Sequence, residues 1–179
     1  MFDEDIKILG EQKSDEESFE ELFLRERENG NVKKAHDLGV ALAQKVIESE
    51  QKIHDFLDAD NFMSYARQKR LLLAFVIHSN LNLYCKNSIL TETAKADFNS
   101  VLRKNSPVTT NDMNEGTAFT LYYLAKRTHD ESEVPLEIGK CFSELCGTKN
   151  SKVFINLGRE LYLEFEKIAK TEVRKADFV

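Results

Sequence analysis

The sequence predicts an all-α protein, a helical bundle or irregular orthogonal array of about six to eight helices. Three observations predict it. Long segments rich in Leu, Ala, Glu, Lys and Gln are interrupted by only two prolines and seven glycines, a composition that favours helix. Through most of those segments apolar residues recur at intervals of three and four. No segment alternates apolar and polar residues as a half-buried strand does, and no tight hairpin turn joins two β-rich runs. The segment lengths are too unequal for a repeat array.

Phe2, Ile6 and Leu9 stand at helical spacing before Gly10 and predict a short first helix. Ser14-Asp15-Glu16-Glu17 has the pattern of a capping box, a hydroxyl followed three residues later by a glutamate, and predicts a second helix whose apolar face is Phe19, Leu22 and Phe23. Gly30 stops it and Asn31 caps a long helix to about Leu57, with Ala35, Leu38, Leu42, Val46, Ile53 and Leu57 on one face. Asp58-Ala59-Asp60-Asn61 breaks the chain. From Phe62 to Lys86 the apolar residues spill beyond one stripe, as on a helix covered from several sides; Leu83 and Tyr84 fall on its main apolar face and Asn80 near the middle of it.

A helix over about Thr91 to Lys104 buries Ala94, Phe98, Val101 and Leu102. Ser106-Pro107 and the polar Thr109 to Asn111 read as a loop. Asp112 to Thr128 reads as one helix with Met113, Leu121 and Leu124 in its stripe, leaving Phe119, Tyr122 and Tyr123 outside it. After a polar turn, Pro135 sits in the first turn of a helix reaching Cys146, with Gly147 as its stop. The last helix, about Ser151 to Lys175, carries Val153, Leu157, Leu161, Phe165 and Ile168 on one face, with Leu163 among polar neighbours. Gly39, Gly116, Gly139 and Gly158 fall inside predicted helices, where each costs roughly 1 kcal/mol against alanine. Close helix crossings are the expected compensation at Gly39 and Gly158.

Charge divides the chain. Residues 1–30 hold eleven acids and four bases, whereas the remainder holds twenty acids and twenty-one bases. The expected organisation is an acidic N-terminal helical arm, residues 1–30, on a bundle domain, residues 31–179. A nearly neutral body with an acidic head gives no footprint for nucleic acid. The start, Met1-Phe2-Asp3-Glu4-Asp5, is acidic where a signal peptide is basic, and the longest apolar run, Leu71 to Ile77, covers seven residues, far short of the roughly 20 that span a bilayer. Cys85, Cys141 and Cys146 show no paired spacing and read as reduced thiols of a cytoplasmic protein.

The local motifs of phosphate binding, dinucleotide binding, zinc hydrolysis and serine hydrolysis are missing. Asp58-Ala59-Asp60 opens like a calcium loop, but Phe62 stands where the third oxygen ligand belongs. No cofactor or metal is therefore expected. Arg67, His78 and Asn82 share the second, mixed face of the helix from Phe62, together with Leu71, Ala74 and Phe75, and form the candidate ligand-binding set. Arg67-Gln68-Lys69-Arg70 lies near a helix start, where cations do not complement the dipole, so an anion or an acidic partner fits there. The expected function is a non-enzymatic helical interaction or regulatory protein, self-associating or bound to another protein. The alternative is a small-molecule or anion-binding protein, with or without catalysis, at Arg67, His78 and Asn82.

Overall fold

The computed structural model describes residues 18–49 and 59–179, with the backbone alone at residues 59–61. The helix read from Phe2 to Leu9, the Ser14 capping box and the Glu50 to Leu57 end of the long helix lie outside the described residues. Eight helices and no strand occupy the described chain: α1 Phe19–Glu28, α2 Asn31–Glu48, α3 Ala59–Tyr84, α4 Ser88–Asn105, α5 Pro107–Glu115, α6 Thr117–Thr128, α7 Val134–Leu145 and α8 Lys152–Lys175. α3 touches α2, α4, α5, α6, α7 and α8, so it is the central helix its broad apolar surface predicts. Two closely packed pairs, α2 with α4 and α7 with α8, surround it, and α1 packs on α2.

Local chemistry sets the helix ends. Ser18 and Glu21 close a capping box, with the Glu21 amide donating to Ser18 Oγ at 3.2 Å and the Ser18 amide to the Glu21 carboxylate at 3.0 Å. Gly30, at φ +77°, turns the chain between α1 and α2, a conformation that a side chain resists. The Asn87 side chain accepts from the Leu90 amide at 3.1 Å and starts α4 at Ser88, a turn ahead of the Thr91 that the sequence indicates.

Two expectations are corrected between residues 106 and 128. Pro107 opens the helix α5 instead of lying in a loop. Its missing amide costs nothing in a first turn, the same reason that Pro135 is tolerated in α7. Gly116, at φ +75°, is a left-handed junction and not a helix interior, so α5 and α6 are separate. That break resets the phase of the apolar stripe. On α6 the buried residues are Ala118, Tyr122 and Ala125, one turn apart, while Tyr123 and Leu124 face solvent. Tyr122 is therefore core, tilted against Phe75 at a ring separation of 5.4 Å.

The glycines explain how the helix pairs approach. A Cβ on Gly39 would land on the Ala94 carbonyl oxygen of α4, and one on Gly139 would land on the Ile155 carbonyl oxygen of α8. A Cβ on Gly158 would sit 2.6 Å from Phe142 Cβ. The crossings expected at Gly39 and Gly158 are present, and Gly139 makes a third. His36 of α2 contacts the Asp97 carboxylate of α4 beside the Gly39 crossing.

Asn80 is fully buried. Its Nδ2 donates to the Val76 carbonyl at 2.9 Å and to Glu166 Oε1 at 3.3 Å, while its Oδ1 has no partner among the described residues. Glu166 also accepts from Tyr162 at 3.1 Å and pairs with Lys170 at 2.7 Å and Lys126 at 3.5 Å. Because Glu166 keeps these partners without it, Asn80→Ala is expected to cost about 1 kcal/mol, the low end for a buried hydrogen bond, in urea unfolding. An unchanged midpoint would mean that the amide adds nothing to the network.

Candidate functional site

The chemistry-bearing residues of α3 divide between two places. Arg67 and His78 lie on one stripe but eleven residues apart, about 16 Å along the axis. Arg67 bonds Asp112 Oδ1 and Glu115 Oε2, each at 2.8 Å, across a small hollow of about 240 Å³ against α5. Two carboxylates of its own chain thus pair with this arginine. Gln68 and Lys69 of the same cluster are buried, and the Lys69 ammonium lies 5.9 Å from the centre of the Tyr65 ring. Leu71, Ala74 and Phe75 of the mixed face are buried and separate the Arg67 hollow from the part of that face that opens to solvent further along α3.

It opens into a groove of about 710 Å³ between the C-terminal half of α3 and α6, which holds His78 and Asn82 together. Phe75 and Phe119 meet edge to face at 5.7 Å, and both line the groove. Leu83, Tyr123 and Leu124 line it too, 59%, 55% and 47% exposed. Sequence periodicity places Leu83 and Tyr84 on the core face, yet both are exposed while Leu81 of the same turn is fully buried. A smaller hollow of about 300 Å³ lies on the other side of His78 and Phe119, which it shares with the groove, and is bounded by Asn99, Arg103 and Met113.

Charge in this region is one-sided. Lys126 and Arg127 line the groove and Arg103 lines the smaller hollow, whereas no Asp or Glu among the described residues lines either one. Lys126 is held by Ser79 Oγ at 2.8 Å and by Glu166 behind it. Arg103 and Arg127 lie in the last turns of α4 and α6, where the helix dipole favours cations. Neither is paired with a carboxylate among the described residues.

His78 sits between the Phe98 and Phe119 rings, at 5.2 and 5.9 Å, and its Nε2 is 3.3 Å from Asn99 Oδ1. Burial lowers its pKa and the nearby Lys95 adds to this, against smaller upward pulls from Asn99 and Glu92. Protonation is therefore disfavoured in the folded chain. The imidazole contributes full stability above its ordinary value of 6.5, and that contribution is lost as pH falls below it. Thermal unfolding is expected to show a drop in stability beginning near pH 6.5, and His78→Gln should remove that step while leaving the carboxylate-driven acid limb in place. A pH profile identical in both proteins would contradict the placement.

The thiolate form is disfavoured at all three cysteines. All three cysteines are free, burial raises the pKa of each, and Cys146 is pushed up to about 12. No cluster of three or more metal-ligating side chains occurs among the described residues, and no described helix is long and apolar enough to cross a membrane. His129 is exposed, with Nε2 3.9 Å from Glu137.

The sequence set therefore brings His78 and Asn82 to one groove and leaves Arg67 in another place. It misses Leu124, which the sequence count puts inside the stripe, and Lys126 and Arg127, while Tyr123, already outside the stripe in the sequence, does line the groove. No family model, no curated protein and no solved structure matches the chain.

Proposed function

We propose that the chain is a helical protein-interaction module and that the α3–α6 groove is its binding surface. The carrying observation is the groove wall: Leu83, Tyr123 and Leu124 stand out into solvent around a hollow of about 710 Å³, beside cations and no carboxylate. Large apolar side chains clustered on one face mark contact surfaces more than isolated ones do. Leu163, 46% exposed on α8, is a lone apolar group of the ordinary kind. Catalysis has less support, since the groove offers a disfavoured imidazolium, an exposed amide and no carboxylate to act as a base.

The second reading, a small-molecule site, is favoured by the size of the groove, which lies within the roughly 300–1,000 Å³ of ligand pockets. One experiment separates the two. Wild-type chain and Tyr123→Glu are melted against a panel of metals, nucleotides and metabolites. A ligand at 100 times its dissociation constant adds about 2.7 kcal/mol to the stability of what it binds. The interaction reading expects Tyr123→Glu to melt within about 0.5 kcal/mol of wild type, as a surface change does. It also expects no compound to shift the wild type alone. A metabolite that stabilises wild type and fails on Tyr123→Glu would overturn it in favour of the small-molecule site.

A further inference from the structure

The groove's chemistry also indicates what covers it. The protein as a whole is acidic, with 31 acids against 25 bases, yet the two hollows that meet at His78 and Phe119 carry Arg103, Lys126 and Arg127 and, among the described residues, no acid. Such a surface selects a segment that is apolar on one side and negatively charged on the other. Residues 1–17 have that composition: Phe2, Ile6 and Leu9 are spaced at helical intervals, among seven acids and two bases. Their net of −5 is steeper than the −2 of residues 50–58, the other stretch outside the described residues.

We propose that this two-part groove is the docking site of the chain's own residues 1–17, with the apolar side chains against Phe119, Tyr123 and Leu83 and the carboxylates toward Arg103 and Arg127. This rests on the interaction reading of the groove. The sequence indicates Arg67-Gln68-Lys69-Arg70 as the place for an anion or an acidic partner. Arg67 already holds Asp112 and Glu115, whereas Arg103 and Arg127 pair with no carboxylate among the described residues.

The root of the segment is suitably placed. Glu26 of α1 accepts from Asn87 Nδ2 at 3.0 Å. That fixes α1 just beyond the C-terminal end of α3, the end that carries Asn82 and Leu83. From Glu26 to the start of α1 is about 10 Å along a helix. The seventeen residues before Ser18 span up to about 55 Å when extended. A domain of this size has a radius of gyration of about 15 Å, so the groove is within reach.

Hydrogen–deuterium exchange on the purified full chain tests this. In wild type the amides of residues 1–17 should exchange at least about tenfold more slowly than in a synthetic peptide of the same seventeen residues. Arg103→Glu with Arg127→Glu, or about 0.5 M NaCl, should remove most of that protection, because the pairs are exposed and screened. Leu83→Glu should do so at low salt. Exchange equal to that of the free peptide overturns the docking. Protection that survives the groove variants places the segment elsewhere and also overturns it. Protection that falls on dilution assigns the segment to a second copy's groove, which overturns intramolecular docking while leaving the groove as an interaction surface.

Discussion

Gly139→Ala is expected to lower the unfolding free energy by about 3 kcal/mol, the upper end of what overpacking usually costs. The added methyl would land on the Ile155 carbonyl of α8, and the Arg159 amide nitrogen lies 3.2 Å from the same point. Backbone cannot rotate aside as a side chain can, so α7 and α8 must separate. Gly39→Ala, against the Ala94 carbonyl of α4, should behave alike. Alanine's better helix propensity offsets about 1 kcal/mol of either loss. Gly158→Ala meets Phe142, whose Cβ is as fixed as backbone, and should also destabilise. Denaturant unfolding of the three variants decides the matter. Higher midpoints throughout would mean that propensity wins and that the helix pairs are not in contact at these glycines.

The second large effect is expected at Asn31, where Asn31→Ala should cost about 2–3 kcal/mol, the range for hydrogen bonds to a charged group. Asn31 is fully buried, and its Nδ2 donates to Glu26 Oε2 at 2.5 Å and to the Val179 carbonyl at 2.7 Å, while its Oδ1 accepts from the Val179 amide at 3.1 Å. One side chain thus ties α1 to the last residues of the sequence. Glu26 is itself fully buried. Burial works to raise its pKa, but the hydrogen bonds from Asn31 and Arg25 and the charges of Lys86 and Arg25 outweigh it, and the net shift is downward. A depressed carboxyl stabilises the fold above its ordinary value of 4.5, and the contribution is lost as pH falls through the folded value. Asn31→Ala should therefore narrow the gap between stability at pH 7 and at pH 4. An unchanged gap would show that Glu26 draws nothing from Asn31.

Most of the fold is legible in the sequence because helix periodicity and caps are local. α3, α7 and α8 begin and end within a few residues of where their apolar spacing and stops place them. The misreadings share one cause, a decision that depends on what lies across the contact. Ser106-Pro107 and Gly116 were each compatible with a loop or a helix interior, and the phase of α6 followed from that choice. Phe19, Leu22 and Phe23 form an apolar stripe in sequence, yet Phe19 is 70% exposed and α1 docks through Glu26 instead. A buried glutamate finds much of its reason in Asn31 and Asn87, five and sixty-one residues away. The groove is hidden for the same reason: α3 and α6 are thirty-two residues apart, and nothing in either segment marks the other as its wall.

The central claim, that the α3–α6 groove binds polypeptide, is tested most directly by placing a photo-crosslinking amino acid at Leu83 in the full chain. A control carries it at Val153, which is 71% exposed at the start of α8 and away from the groove. Both proteins are irradiated in an extract of the cells that make them, and the adducts are identified by mass spectrometry. A discrete polypeptide adduct is expected at Leu83, from residues 1–17 or from a protein partner, and Tyr123→Glu should strongly reduce it. Equal, diffuse labelling at Leu83 and Val153 would contradict the claim.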